Sequence, residues 1–358
     1  MPALPENRLI LHIGGAKCGS SALQTTFSLA DWDNADSALV YAALHPVHGI
    51  AQGLPMRVHA LRALHGYAAS PHAEDLAAAA PDQRQAMFQA LRSLAAGPRR
   101  VILSNENWLP RAGHFVTQGL LDEIGLPFDI FAVVRPQVEF MNSGWWQWGA
   151  WEGLSLEDWV RKMINGARWA RHLDLWQSHP NFREAKVRLL SKDIVGDFFA
   201  AFGAARPPGI ESGQVNGSLP GDILRLYQRN RQLRPGPHLP ATDFVISRLG
   251  IAGAPTPWVI PPALAEEVIA ASRADNERLL AILPEDDAAR MRANPAWWSA
   301  EAFADKPLQS PLPQAPDAAA LDRLCAGLVE ALDRQDQELR QLRSKAAAAA
   351  GKPKPGPR

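Results

Sequence analysis

Short apolar runs without alternation punctuate the first two hundred positions. RLILHIGG (8–15), RVILSNEN (100–107), FDIFAVVRP (128–136) and KVRLLSKD (186–193) are rich in β-branched residues and stop at polar or turn residues. A strand buried on both faces of a parallel sheet has this texture, because neither face needs polar positions. SALVYAAL (37–44) is a weaker fifth run. Between the runs, apolar positions repeat with helical period: Ala22, Leu23, Phe27 and Ala30, then Met87, Phe88, Leu91, Leu94 and Ala95. Strands alternating with helices predict an α/β domain with a central parallel sheet flanked by helices. Ligands in such sheets sit beyond the carboxyl ends of the strands. The residues just after each run are therefore the place to look for chemistry.

The pattern changes after RPPGIESGQVNGSLP (206–220), which reads as a loop. Helices are expected over Ile223–Leu233 and Pro261–Leu283, with PGPHLP (235–240) and GAPTPW (253–258) as interruptions. The predicted organisation is one catalytic domain over 1–305, a proline-rich linker over 306–320, a coiled-coil-like helix over 321–345 and a disordered tail over 346–358. In the helix, Leu321, Cys325, Leu328, Leu332, Gln335, Leu339 and Leu342 recur at alternating spacings of four and three. Such a stripe meets another helix, either in its own chain or in a second molecule. The prolines before it favour a homodimer or a partner coiled coil.

Composition narrows the function classes. The 358 residues carry 37 Lys and Arg against 37 Asp and Glu, a formal net charge of zero. That argues against coating nucleic acid or an anionic membrane and leaves room for a local basic pocket. Cys18 and Cys325 are the only cysteines, too far apart in sequence for a zinc spacing and too few for a disulfide framework. They fit a reducing compartment, so a cytoplasmic location is expected. No basic n-region opens the chain and no long apolar run suits a transmembrane segment.

The most informative stretch is LHIGGAKCGSSALQTTF (11–27), a buried strand entering a small-residue loop and then a helix. Small residues let successive amides point inward, and the helix start adds partial positive charge, so the loop suits a phosphate. Gly14 and Gly19 have the separation of a nucleoside-triphosphate loop, yet Ser20 stands where that loop has its lysine, and Lys17 lies inside the turn. An ordinary ATP or GTP hydrolase is thereby disfavoured. AKCGSSALQ (16–24) resembles the 5′-phosphosulfate loop of the sulfotransferase family, whose usual form is close to PKxGTT or PKTGSS, with Ala16 in place of the proline.

The resemblance extends to FAVVRPQVEFMNSGWWQW, where Arg135 ends a strand and Ser143 follows eight residues on, and to VRLLSKDIVGDFFAAFG (187–203). It implies a P-loop-like sulfotransferase fold and 3′-phosphoadenosine-5′-phosphosulfate (PAPS) as co-substrate, with 3′-phosphoadenosine-5′-phosphate (PAP) as product. It implies 5′-phosphate contacts from Gly15, Ala16, Lys17, Cys18, Gly19, Ser20 and Ser21. Arg135 and Ser143 would take the 3′-phosphate, and Asn216 and Ser218 would come from a covering loop. No metal would be required, because Lys17 would neutralise the leaving phosphate. Asp193 is expected to orient its loop or cap the next helix.

Glu106, delivered by the second long run as Ser104-Asn105-Glu106, is the candidate base, with His12 and His114 as weaker rivals. Desolvation beside Trp108 and Leu109 would raise its pKa. Trp145 and Trp148 share a helical face with Met141 and read as core, whereas Trp146 and Trp151 fall off that stripe and suit a sugar ring. Cys18 beside Lys17 at a helix start is placed for a lowered thiol pKa and a redox role, but an inert small residue is the favoured reading. The expected function is sulfuryl transfer to a hydroxyl, most often on a glycan. The alternatives are a nucleotide-dependent kinase with a degenerate loop and a non-catalytic sulfotransferase-like scaffold that assembles through its C-terminal helix.

Overall fold

The computed structural model describes residues 9–33, 37–207, 218–239, 241–251, 253–316 and 318–350. Six strands form one sheet: β1 (Leu9–Gly14), β2 (Leu39–His45), β3 (Gly49–Gln52), β4 (Arg100–Ser104), β5 (Phe128–Val134) and β6 (Phe182–Leu189). Their order is β3-β2-β4-β1-β5-β6, and every neighbouring pair is parallel except β2 with β3. The fold is α/β, with the mostly parallel sheet flanked by helices, as the alternation of runs predicts. β1 and β5 sit in the middle and are buried along their whole length, which is why their sequences carry no polar alternation.

Two strands depart from the sequence reading for the same reason, an edge position. β3 is four half-exposed residues without an apolar run, paired back onto β2 through the turn before Gly49. β6 begins at Phe182, four positions before the apolar run, and its first half is polar because an edge strand is only partly covered.

Helix α1 (Ser20–Leu29) buries Leu23 and Phe27, and the Phe27 ring meets Phe198 edge-on at 4.7 Å. Phe198 belongs to α4 (Ile194–Ala201). Helix α2 (Pro81–Ala95) buries the expected Met87, Phe88, Leu91 and Ala95. Helix α3 (Gln137–Gly144) leaves β5 through Pro136 and widens into a π-helical turn over Trp145–Gly149. Further along come α5 (Gly221–Arg229), α6 (Pro262–Ile282) and α7 (Ala318–Ala350). Among the described residues, no helix is long and apolar enough to cross a membrane.

The span read as one domain divides into two compact units. The first comprises Met1–Trp145, Leu154–Val215 and Ile260–Lys306 and holds the sheet. The second comprises Trp146–Gly153, Asn216–Val259 and Pro307–Arg358. Within it, the proline-rich stretch is a bound strap rather than a free spacer. Arg225 donates to the carbonyls of Ser310 (2.7 Å) and Leu312 (2.9 Å), Gln228 to Pro311 (2.8 Å), and the Gln309 amide to Trp258 (2.8 Å). Helix α7 extends past the expected 321–345 at both ends, so 346–350 is helical rather than disordered, and 351–358 lies outside the described residues.

Candidate active site

The loop after β1 is shaped by close approaches that only glycine permits. Gly14 has φ +103°, and a side chain there would collide with the Glu106 carbonyl. Gly15 donates to Val133 O of β5 (3.1 Å), and a Cβ at Gly15 would press on that same oxygen. The chain then folds inward on the Gly15 carbonyl, which accepts from the Cys18 amide (3.1 Å) and from Ser20 Oγ (3.2 Å). Gly19 starts α1 at φ +87° with no side-chain cap and no acidic residue in the first turn. The partial positive charge of the helix start is therefore left uncancelled by a capping carboxylate, the condition that favours an anion.

Lys17 occupies the left-handed region at φ +60°, which costs a non-glycine residue roughly 1 kcal/mol. Its carbonyl is held by Arg135, whose Nη1 donates to it at 3.2 Å. Arg135 stands just past the end of β5, with its own carbonyl fixed by Trp169 Nε1 (3.0 Å). Its Nη2 pairs with Glu139 at 2.9 Å, and its Nε is buried without an acceptor. Ser143 lies on α3 one turn beyond Glu139 and on the same face, partly buried. Glu139 thus stands between Arg135 and Ser143 on the helix. It escaped the sequence reading, although an acidic residue four after an arginine is a legible pairing signal.

Glu106 occupies the turn after β4. Asn105 sets that turn: its amide donates to His12 O (3.0 Å), its Nδ2 to Ser70 O (2.7 Å), and its Oδ1 accepts from the Asn107 amide (2.8 Å). Burial raises the Glu106 carboxyl above the usual range, opposed by the charges of Lys17 and His72. Tyr67 joins this group. Its phenol is pushed up by burial and by the Glu106 charge, with the Ser21 side chain acting the other way. Neither Tyr67 nor His72 was marked in the sequence, because they lie in an irregular connection with no motif. Lys17, His72 and Tyr67 are thus electrostatic neighbours of Glu106, which follows β4.

The rival histidines are otherwise engaged. His12 is fully buried, bonded through Nδ1 to Ser104 Oγ (2.7 Å), and desolvation lowers its pKa to about 3, so it is a neutral core residue. His114 is bonded to Gln118 (2.8 Å), just past the end of its own short helix. Of the two readings of Cys18, the structure agrees with the inert residue rather than the lowered thiol. Desolvation outweighs Arg135 and Lys17 and pushes the buried thiol up to about 12, so Cys18 is unreactive and its amide is turned onto Gly15. Asp193 caps α4 through the Gly196 amide (2.9 Å) and pairs with Arg206 (2.9 Å). Among the described residues, no group of three or more His, Cys, Asp or Glu side chains is placed to hold a metal ion.

Trp146 and Trp151 are not an exposed sugar platform. Both are buried within the second unit, with Trp146 Nε1 on Pro257 O (2.8 Å) and Trp151 Nε1 on Trp146 O (3.0 Å). The π-turn shifts the helical phase at this point, so the stripe drawn from a regular helix does not continue through it. Asn216 lies outside the described residues, and Ser218 is an exposed residue of the second unit.

No protein-family model matches this chain, and no curated protein matches it. Among solved structures, a sulfotransferase from Alicyclobacillus acidocaldarius aligns with 77% of this chain and 95% of its own, at 16% identity and a TM-score of 0.38.

Proposed function

We propose that the chain is a sulfotransferase that moves a sulfuryl group from PAPS to a hydroxyl, with a carbohydrate as the acceptor class. The observation that carries this reading is the bond from Arg135 to the Lys17 carbonyl, which joins the phosphate-type loop after β1 to the arginine after β5. One nucleotide with phosphates at both its 5′ and 3′ positions would use both elements. The 5′-phosphate lies against the loop amides and Ser21, and the 3′-phosphate against Arg135 and Ser143, with Arg135 exchanging Glu139 for phosphate oxygens. Gly15, Ala16, Cys18, Gly19 and Ser20 shape the loop.

The reaction is an in-line displacement at sulfur. The acceptor oxygen forms the new O–S bond as the bond from sulfur to the 5′-phosphate oxygen breaks. Lys17 stabilises the charge that develops on that leaving oxygen, and no metal is needed for it. Glu106 takes the acceptor's proton, and its raised pKa brings it closer to the working pH than an ordinary carboxylate. Burial of Trp146 and Trp151 removes the aromatic argument for a glycan, so that acceptor class rests on the resemblance of Ser104-Asn105-Glu106 to the Ser-x-Glu form of glycan-modifying sulfotransferases. Two free cysteines are compatible with a reducing, cytoplasmic setting.

A kinase would place a lysine where Ser20 stands, and Ser20 turns its hydroxyl onto the Gly15 carbonyl. Calorimetry separates the readings: PAP is expected to bind without added Mg²⁺ and ATP only weakly. Tighter binding of Mg·ATP would favour the kinase, and binding of neither nucleotide would favour the scaffold.

A further inference from the structure

Helix α7 carries two apolar stripes, and its own unit covers only one. Leu324, Gly327 and Ala331 are buried, and the first half of the helix is fastened by Arg323 to Asp222 of α5 (3.6 Å) and by Arg334 to Leu249 O (2.8 Å). Each residue advances about 100° round a helix, so this stripe is roughly a quarter turn from the heptad seam. The seam itself stays largely open: Leu321 is 42% exposed, Leu332 65%, Leu339 48% and Leu342 61%, with Cys325 exposed among them and Leu328 half-buried. From Leu332 to Lys345 every side chain is exposed.

We infer that this seam binds the same seam of a second copy of the chain, as a parallel, in-register two-stranded coil. The seam residues select the occupant. Leu321, Leu328, Gln335 and Leu342 take one core position of the heptad, and Cys325, Leu332 and Leu339 the other. In a parallel in-register pair each layer meets its own copy, so Gln335 faces Gln335 and the two amides can hydrogen-bond. An antiparallel pair sets Gln335 against Cys325, Leu332 or Leu339, leaving its amide unpaired in an apolar layer. Charge agrees. Glu338 precedes one core position and Arg343 follows the other, so in the parallel pair each Glu338 meets the second copy's Arg343, twice by symmetry. This inference is independent of the sulfuryl-transfer reading.

Light scattering on the full chain over a dilution series tests it, together with Leu332→Glu/Leu339→Glu and mild oxidation. The expected mass is twice that of one chain, falling to one chain on dilution and in the double variant. The variant should keep its thermal midpoint, because both leucines are exposed. Oxidation should join two chains through Cys325, since Cys18 is buried, and Cys325→Ser should abolish the link. A single-chain mass at every concentration would overturn the inference. So would a dimer that survives the double variant, a larger assembly, or a dimer whose Cys325 residues fail to link.

Discussion

Arg135 in the first unit and Arg225 in the second are the same side chain in differently furnished surroundings. Arg225 points its donors at fixed main-chain carbonyls, those of Ser310 and Leu312, and lies over the Trp146 ring at 5.1 Å. Burial and the neighbouring Arg229 lower its pKa, so its charge is tolerated there because of those bonds. Arg135 gives one donor to Lys17 O, one to the movable carboxylate of Glu139, and keeps a buried Nε without an acceptor. A guanidinium engaged by carbonyls of its own chain is a clamp. One engaged by a partly exposed carboxylate beside an anion-favouring loop is, on the reading proposed above, a binding group. The first unit should therefore register mutations as lost ligand or lost rate, and the second as lost stability.

The largest effects belong to the chemistry of the first unit. Lys17→Ala should abolish turnover, since it removes the charge on the leaving oxygen, and should weaken nucleotide binding as well. Glu106→Gln should reduce transfer by about a hundredfold or more while leaving PAP affinity nearly intact. A glutamine variant with the parent rate would remove Glu106 from the mechanism. EDTA should leave the rate unchanged.

As the proposed base, Glu106 should also set a pH limb. A base must be ionised to accept a proton, so kcat/KM should rise with pH through the raised pKa of Glu106 and level off above it. Each pH unit on that limb is about tenfold, and the limb should sit above the ordinary glutamate value of about 4.3. A limb at the ordinary value, or one that persists in Glu106→Gln, would assign it to another group.

Stability should reverse the ranking. Arg225→Ala removes the charged donor that ties down the strap carbonyls of Ser310 and Leu312 and should cost about 1.5–3 kcal/mol, seen as a lower denaturation midpoint with PAP affinity unchanged. Arg135→Ala should cost less than about 1 kcal/mol, because its ion pair is partly exposed. If the two variants lost equal stability, the distinction between clamp and binding group would fail. Smallest of all, Asp193→Ala should cost about 1 kcal/mol through the lost α4 cap and leave turnover intact. A loss of turnover out of proportion to that would give Asp193 a role in the site.

Much of this was legible in the sequence where burial is symmetric. β1, β4 and β5 announce themselves because both faces are covered, and residues 14–21 because glycine and serine are placed where a curled backbone needs them. Edges and phases were not legible. β3 has no apolar run to read, and the phase of Trp146 and Trp151 depends on a π-turn that no regular periodicity reveals. Tyr67 and His72 reach Glu106 from a connection whose path is set by tertiary bonds such as Asn105 to Ser70 O. The inert reading of Cys18 agrees with its burial, which outweighs the cationic Lys17 beside it in sequence.

The central claim is that Arg135 is kept for a second phosphate, and calorimetry with PAP against 5′-AMP, on the parent chain and on Arg135→Ala, tests it most directly. The account predicts that the parent prefers PAP by about thirty- to a thousandfold, or roughly 2–4 kcal/mol of charge-assisted bonding, and that the variant loses most of this preference. Equal affinity of the parent for PAP and 5′-AMP would contradict it.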